Sequence, residues 1–111
     1  MGIRSSEAKQ ATGILFEIMD GEFQIARGHL YILGNGQHQR PFGLMEDIFV
    51  HEKHRGRGLG TQIIEAIVEA ARTAGCYKLI ATSRDEREKV HNLYRELGFQ
   101  VQGLEFRMNF T

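Results

Sequence analysis

The chain has 111 residues, and its 14 Lys and Arg balance its 14 Asp and Glu, so the formal charge is zero. That length holds one domain. The absence of net charge argues against nucleic acid or a membrane surface held by bulk electrostatics. Cys76 is the one cysteine, which excludes an intrachain disulfide and points to a reducing, cytoplasmic setting. Apolar residues at 41% and charged residues at 25% are those of an ordinary globular protein. No apolar run approaches the ~20 residues of a membrane helix, and residues 1–10 lack the apolar core of a leader.

Residues 1–10 are polar and read as a loose or helical arm, with a single domain expected over residues 11–111. Residues 13–19 are apolar and rich in strand formers, and Asp20-Gly21 follows them. Asp-Gly between two such runs signals a hairpin, because both turn positions favour positive φ. Residues 22–33 alternate loosely and give the second strand. Residues 34–41 carry turn chemistry and form a loop. Residues 43–50 give a third strand with Glu46 and Asp47 inside it. From Thr61, Ile63, Ile64, Ile67, Val68 and Ala71 lie on one face of a helix, which Gly75 caps. Residues 77–83 read as a short buried strand. Asp85 with Glu88 resembles a capping box opening a second helix, whose apolar face is Val90, Leu93, Tyr94 and Leu97. Gly98 ends it. The tail alternates at Leu104, Phe106, Met108 and Phe110, which is strand spacing. The order is β-β-β-α-β-α-β. Residues 43–83 require a parallel pair with a right-handed crossover, and the opening hairpins are antiparallel. The fold class is α/β of the α+β kind, with a mixed sheet.

Three glycines, Gly56, Gly58 and Gly60, stand within five residues between the third strand and the first helix. Glycines there let successive backbone N–H groups turn toward one point and let a ligand approach the main chain. The helix adds its positive end. Lys53, His54, Arg55 and Arg57 surround the turn. Together these describe a phosphate or pyrophosphate site, against the plainer reading of a solvated turn. G-x-x-x-x-G-K-[ST] is absent, and G-x-G-x-x-G fails because Thr61 takes the third glycine position. His51 and His54 are three apart, but nothing completes a metal set, so no metal is expected. Cys76 reads as a small buried hydrophobe. Lys53 to Arg57 is too short a basic patch for nucleic acid in a neutral chain.

Arg55, Gly58 and Gly60 form the pattern R-x-x-G-x-G. It resembles the coenzyme A pyrophosphate loop of the GNAT superfamily of N-acetyltransferases. EDIFVHEKHRGRGLG is similar to that family's fourth strand and pyrophosphate loop, and GCYKLIATS to its fifth strand. HNLYRELGF resembles its Tyr-x-x-x-Gly-Phe signature at Tyr94, Gly98 and Phe99. The resemblance runs over residues 13–110 and implies a GNAT-type sheet without the family's usual first strand and first helices. It implies acetyl-CoA as co-substrate, with the backbone of Ile48, Phe49 and Val50 pairing with the pantetheine arm. Arg55, Gly56, Arg57, Gly58, Leu59, Gly60 and Thr61 would hold the pyrophosphate. Arg87 stands where members often have an asparagine touching the cofactor, and a cation there can meet a phosphate. Tyr94 falls where many members keep a tyrosine near the coenzyme A sulfur.

The implied reaction moves acetyl to a primary amine of a small molecule or protein. The alternative is a non-catalytic coenzyme A-binding or interaction module on the same fold. Tyr94 is the expected proton donor to the leaving thiolate, set against simple packing on its apolar helix face. Glu46 is the expected proton acceptor, with Asp47 as the fallback. Regular alternation puts Glu46 and Ile48 on one face and Asp47 on the other. Without the first strand a sheet edge is left open, so a homodimer is expected, with the acceptor pocket shared between copies. The loop of residues 34–42, with Gln37, His38, Gln39 and Arg40, is polar enough to touch the acceptor.

Overall fold

The computed structural model describes residues 1–7, 10–83 and 88–111. It partitions into two compact units, Met1–Ala81 and Thr82–Thr111.

The first unit is a four-stranded sheet carrying one helix. Its strands are β1 (Gln10–Asp20), β2 (Phe23–Gly34), β3 (Phe42–Val50) and β4 (Leu79–Ala81), ordered β1-β2-β3-β4. The first two neighbouring pairs are antiparallel and β3 with β4 is parallel, so the sheet is mixed as the sequence predicts. The two residues of the first turn are Gly21 and Glu22, closed by the Asp20 and Phe23 pair. Only Gly21 takes positive φ, at 61°. The turn therefore lies one residue beyond the Asp-Gly dipeptide, because glycine carries the φ that the reversal needs.

Helix α1 (Leu59–Thr73) crosses between β3 and β4 and lays Ile63, Ile64, Ile67 and Ala71 on the sheet. These four and Ala26, Leu30, Ile32 and Met45 make the buried core. The even-numbered side chains of β2 face the helix, and Ile14, Phe16 and Ile18 of β1 lie beside them in register. Gly75, at φ 82°, closes α1: its N–H donates to the Arg72 carbonyl and the Cys76 N–H to the Ala71 carbonyl, both at 3.0 Å. This is the double-bonded left-handed cap that the glycine predicts.

In the second unit, helix α2 (Glu88–Glu96) presents Leu93 and Tyr94 half-buried. Asp85 and Arg87, read as a capping residue and a cofactor contact, lie outside the described residues. The tail departs from its expected strand. Residues 100–111 form no ladder and are exposed, with Leu104 at 80%, Phe106 at 90% and Phe110 at 88%. Alternation is needed for a half-buried strand, but a strand exists only against a neighbour that takes its hydrogen bonds, and the described residues supply none.

Candidate active site

The site builds from the C-terminal half of β3. Pairing with β4 covers only Gly43, Leu44 and Met45. From Glu46 to Val50, β3 pairs with β2 alone, and among the described residues no strand takes its other edge. That edge offers backbone groups to an extended ligand, as an added strand would use them.

The half-strand is bulged. Arg27 pairs with Phe49 and His29 with Glu46, so Gly28 alone faces the two residues Asp47 and Ile48. Asp47 sits at φ 56°, the single non-glycine with positive φ among the described residues. A two-against-one bulge reverses the alternation beyond it. This corrects the sequence expectation. Ile48 points toward α1, as its Cδ1 lies 2.6 Å from where a Cβ on Gly28 would stand. Glu46 shares the opposite face with His29, its partner in register. Asp47, expected on the other side from Glu46, joins it there and bonds Arg27. The Arg27 Nε donates to Asp47 Oδ2 at 3.0 Å and Nη2 to Oδ1 at 3.2 Å.

The two carboxylates differ in character. The Arg27 guanidinium hydrogen-bonded to Asp47 holds that carboxyl below its ordinary range, despite some desolvation. The Glu46 carboxylate is exposed and makes no side-chain hydrogen bond or ion pair among the described residues. The His29 ring stacks on Tyr31 at 6.0 Å. Its buried Nδ1 has no hydrogen-bond partner among the described residues, and Asp47 Oδ2 lies 3.6 Å away. That is too long for a hydrogen bond but close enough for attraction when the ring is protonated. Arg27 and His29 were not among the predicted site residues. Two polar side chains on the outward face of an otherwise apolar strand were the only sign of them.

The glycine loop follows directly. A 3-10 turn at Glu52–His54 leads into Arg55, whose Nε donates to the Val50 carbonyl at 3.0 Å. Arg57 Nη1 lies 2.7 Å from His54 Nδ1. Gly56 and Gly58 adopt φ 79° and 77°, and Gly58 is the left-handed N-cap of α1 with no side-chain cap bond. The first N–H groups of α1 thus lack intrahelical acceptors and open beside Arg55 and Arg57. A Cβ on Gly56 or Gly58 would meet nothing within 4 Å, and one on Gly60 only Val50 Cγ2 at 3.6 Å. The space over the loop is open, and the donor set there suits a diphosphate. Ile48, Phe49 and Val50 on the strand edge and residues 55–61 on the loop are brought into one continuous stretch.

Tyr94 belongs to the second unit, where its ring lies 5.3 Å from that of Phe99. The Phe99 N–H donates to the Tyr94 carbonyl at 2.9 Å and the Gly98 N–H to the Arg95 carbonyl at 3.1 Å. This is the same helix-closing motif as at Gly75, with its customary apolar contact. The Tyr-x-x-x-Gly-Phe spacing therefore has a structural reason: it ends a helix and staples the end. Among the described residues, no three His, Cys, Asp or Glu gather as for a metal ion.

The model of the acetyltransferase (GNAT) family matches residues 6–99. The chain belongs to that family. Among solved structures, a putative acetyltransferase from Agrobacterium tumefaciens superposes with a TM-score of 0.82 at 27% identity, covering 90% of this chain and 70% of that one. The glucosamine-6-phosphate N-acetyltransferase of Arabidopsis thaliana gives 0.79 at 22% identity over 89% and 67%, which is a likeness of fold. By sequence, the GNAT chain is 37% identical to the Trypanosoma brucei glucosamine 6-phosphate N-acetyltransferase over 70 residues, 63% of this chain and 46% of that protein. It is 41% identical over 56 residues to the mouse thialysine N-epsilon-acetyltransferase, 50% of this chain and 33% of that one. It thus spans less than half the length of these curated relatives.

Proposed function

We propose that this GNAT chain binds acetyl-CoA along β3 and the glycine loop and transfers its acetyl group to a primary amine of a small molecule or protein. The carrying observation is the strand edge from Glu46 to Val50, which no strand among the described residues covers and which runs into a loop of open N–H groups beside Arg55 and Arg57. Support also comes from the relatives, which are named acetyltransferases, and from a neighbour of the fold, AAC(6')-Iy, in complex with the bisubstrate analog CoA-S-monomethyl-acetylneamine.

A neutral amine attacks the thioester carbonyl, and the carbon–sulfur bond breaks through a tetrahedral oxyanion. A backbone N–H of the Ile48, Phe49 and Val50 stretch stabilises that oxyanion. Glu46 accepts the proton of the incoming ammonium, directly or through water. We assign this to Glu46 and not Asp47 because a carboxylate held by Arg27 is the weaker base. Tyr94 donates a proton to the leaving thiolate, as a positioned phenol can. Its ring contact with Phe99 survives in phenylalanine, so Tyr94→Phe isolates the hydroxyl. Arg87 is proposed to meet a cofactor phosphate.

We further propose that two copies associate through the outer edge of β1, which has no neighbouring strand among the described residues and leaves Leu15 48% and Met19 47% exposed. The lone Cys76 favours a reducing, cytoplasmic compartment.

The test is coenzyme A titration by calorimetry, then a free-thiol assay across amines that include glucosamine 6-phosphate and thialysine. Micromolar binding with turnover on an amine is expected. No binding rejects the reading, and tight binding with no turnover replaces it with a non-catalytic module. Tyr94→Phe slows transfer without weakening cofactor binding. Sedimentation at increasing concentration tests the dimer, which a concentration-independent monomer refutes.

A further inference from the structure

Asp47 holds a left-handed backbone, which costs energy even for aspartate and asparagine, the side chains that tolerate it best after glycine. Left-handed backbone at such a residue persists only when its surroundings over-determine it. The surroundings here are Arg27, which grips both carboxylate oxygens through Nε and Nη2 at 3.0 and 3.2 Å. The grip is planar and direction-specific in a way that a lysine ammonium is not. Arg27 is itself fixed: its guanidinium carbon lies 4.8 Å from the centre of the Phe49 ring, the bulge's other neighbour on this face. Arg55 lies 5.8 Å from the centre of that ring, and its Nε holds the Val50 carbonyl. A connected set of contacts thus runs from the bulge to the glycine loop through Asp47, Arg27, Phe49 and Arg55.

We propose that Arg27 is a positioning residue: its two-pronged hold on Asp47 keeps the β3 bulge in its left-handed form and so aims the backbone N–H of Ile48, on the edge of β3 away from β2. The proposal rests on the functional reading above, which gives a backbone N–H of the Ile48 to Val50 stretch to the acetyl carbonyl. Arg27 touches neither acetyl group nor acceptor in this account. A donor misplaced by about 1 Å costs up to about a hundredfold in rate, and losing one outright costs about a hundredfold or more. Arg27→Gln therefore lowers kcat by about ten- to a hundredfold, with little change in coenzyme A affinity. Arg27→Lys, which keeps the charge and loses the fork, falls with Arg27→Gln and not with the wild type.

The deciding variant pairs Arg27→Gln with Asp47→Gly. Glycine occupies φ near 56° without help, so this double variant recovers at least about threefold of the lost kcat, a margin well within a rate assay. No recovery overturns the proposal, because an arginine acting on substrate would not be replaced by a glycine elsewhere. A second readout needs no activity: hydrogen exchange of the Phe49 amide, which faces the β2 ladder beside the bulge, in the free protein. Faster exchange in Arg27→Gln, with the α1 amides unchanged, supports the hold on the bulge, and unchanged exchange overturns it. If the wild type neither binds coenzyme A nor acetylates an amine, the functional reading fails while the exchange experiment still decides the role of Arg27.

Discussion

Replacing Gly60 by alanine separates a glycine kept for the fold from one kept for a ligand. Gly60 lies in the first turn of α1, and its φ is not positive. A Cβ there would meet only Val50 Cγ2, at 3.6 Å, an ordinary contact. Alanine exceeds glycine by up to about 1 kcal/mol within a helix, and roughly half of that is expected in the first turn. Partial cover of the new methyl against Val50 adds a few tenths, given about 0.8 kcal/mol for a fully buried methylene. Gly60→Ala is therefore expected to stabilise by about 0.5–1 kcal/mol. The Cα–Cβ bond of a helical residue leans toward the helix N-terminus, so the methyl stands over the loop where the diphosphate is proposed to lie. Charge-assisted hydrogen bonds contribute about 1.5–3 kcal/mol each, and losing one weakens coenzyme A binding about tenfold or more. Urea unfolding and calorimetric titration measure the two effects on one sample. Lower stability, or unchanged binding, would show that the glycine serves the fold and would refute the cradle.

Other substitutions probe the scaffold around the site. Gly28→Ala puts a methyl 2.6 Å from both Ile48 Cδ1 and Ile63 Cγ2; overpacking of about 2 kcal/mol outweighs about 0.5–1 kcal/mol of backbone entropy gained. Adding Ile48→Val, which removes the Cδ1, recovers part of the loss in a denaturation cycle, and strict additivity would refute the contact. Ile67→Ala empties a fully buried position of the small core and costs about 2–5 kcal/mol by urea unfolding; a loss well below that range would place Ile67 outside the core. Asp47→Asn keeps a residue that tolerates positive φ and removes the charge. Because Arg27 lowers the Asp47 pKa, the pair's contribution is fully present above the unfolded carboxylate value of about 3.9 and fades as pH falls through the lower folded value. The stability difference between wild type and Asp47→Asn should close below about pH 4, and a gap unchanged at pH 3 would refute the pairing.

What the sequence revealed depended on whether one segment's pattern was sufficient. The stripe of Ile63, Ile64, Ile67 and Ala71 and the capping Gly75 were legible, because both the helix and its cap are set by nearby residues. The glycine loop was legible for the same reason. The β3 bulge was not, since a count of two residues against one involves two strands at once. Gly28 within an apolar strand was the available sign, as an isolated glycine there often marks a bulge or close backbone approach. Missing it put Glu46 and Asp47 on opposite faces and hid Arg27. The tail shows the converse: its alternation was plain, but pairing depends on a neighbour that the pattern does not encode. Tyr94 lies between these cases. Its position was readable, and its reason for packing became clear only with the Gly98 cap.

That tail carries a further consequence for the behaviour of the chain in concentrated solution. Leu104, Phe106, Met108 and Phe110 form an exposed, β-prone stripe of the kind that recruits other strands. Glu105 and Arg107 interrupt it and bond each other, with Arg107 Nε 2.8 Å from Glu105 Oε2. Charges so placed act as gatekeepers against edge-to-edge stacking. The pair makes little difference to folding stability, but neutralising both residues would strip an exposed apolar segment of the charges that interrupt it and favour association between copies.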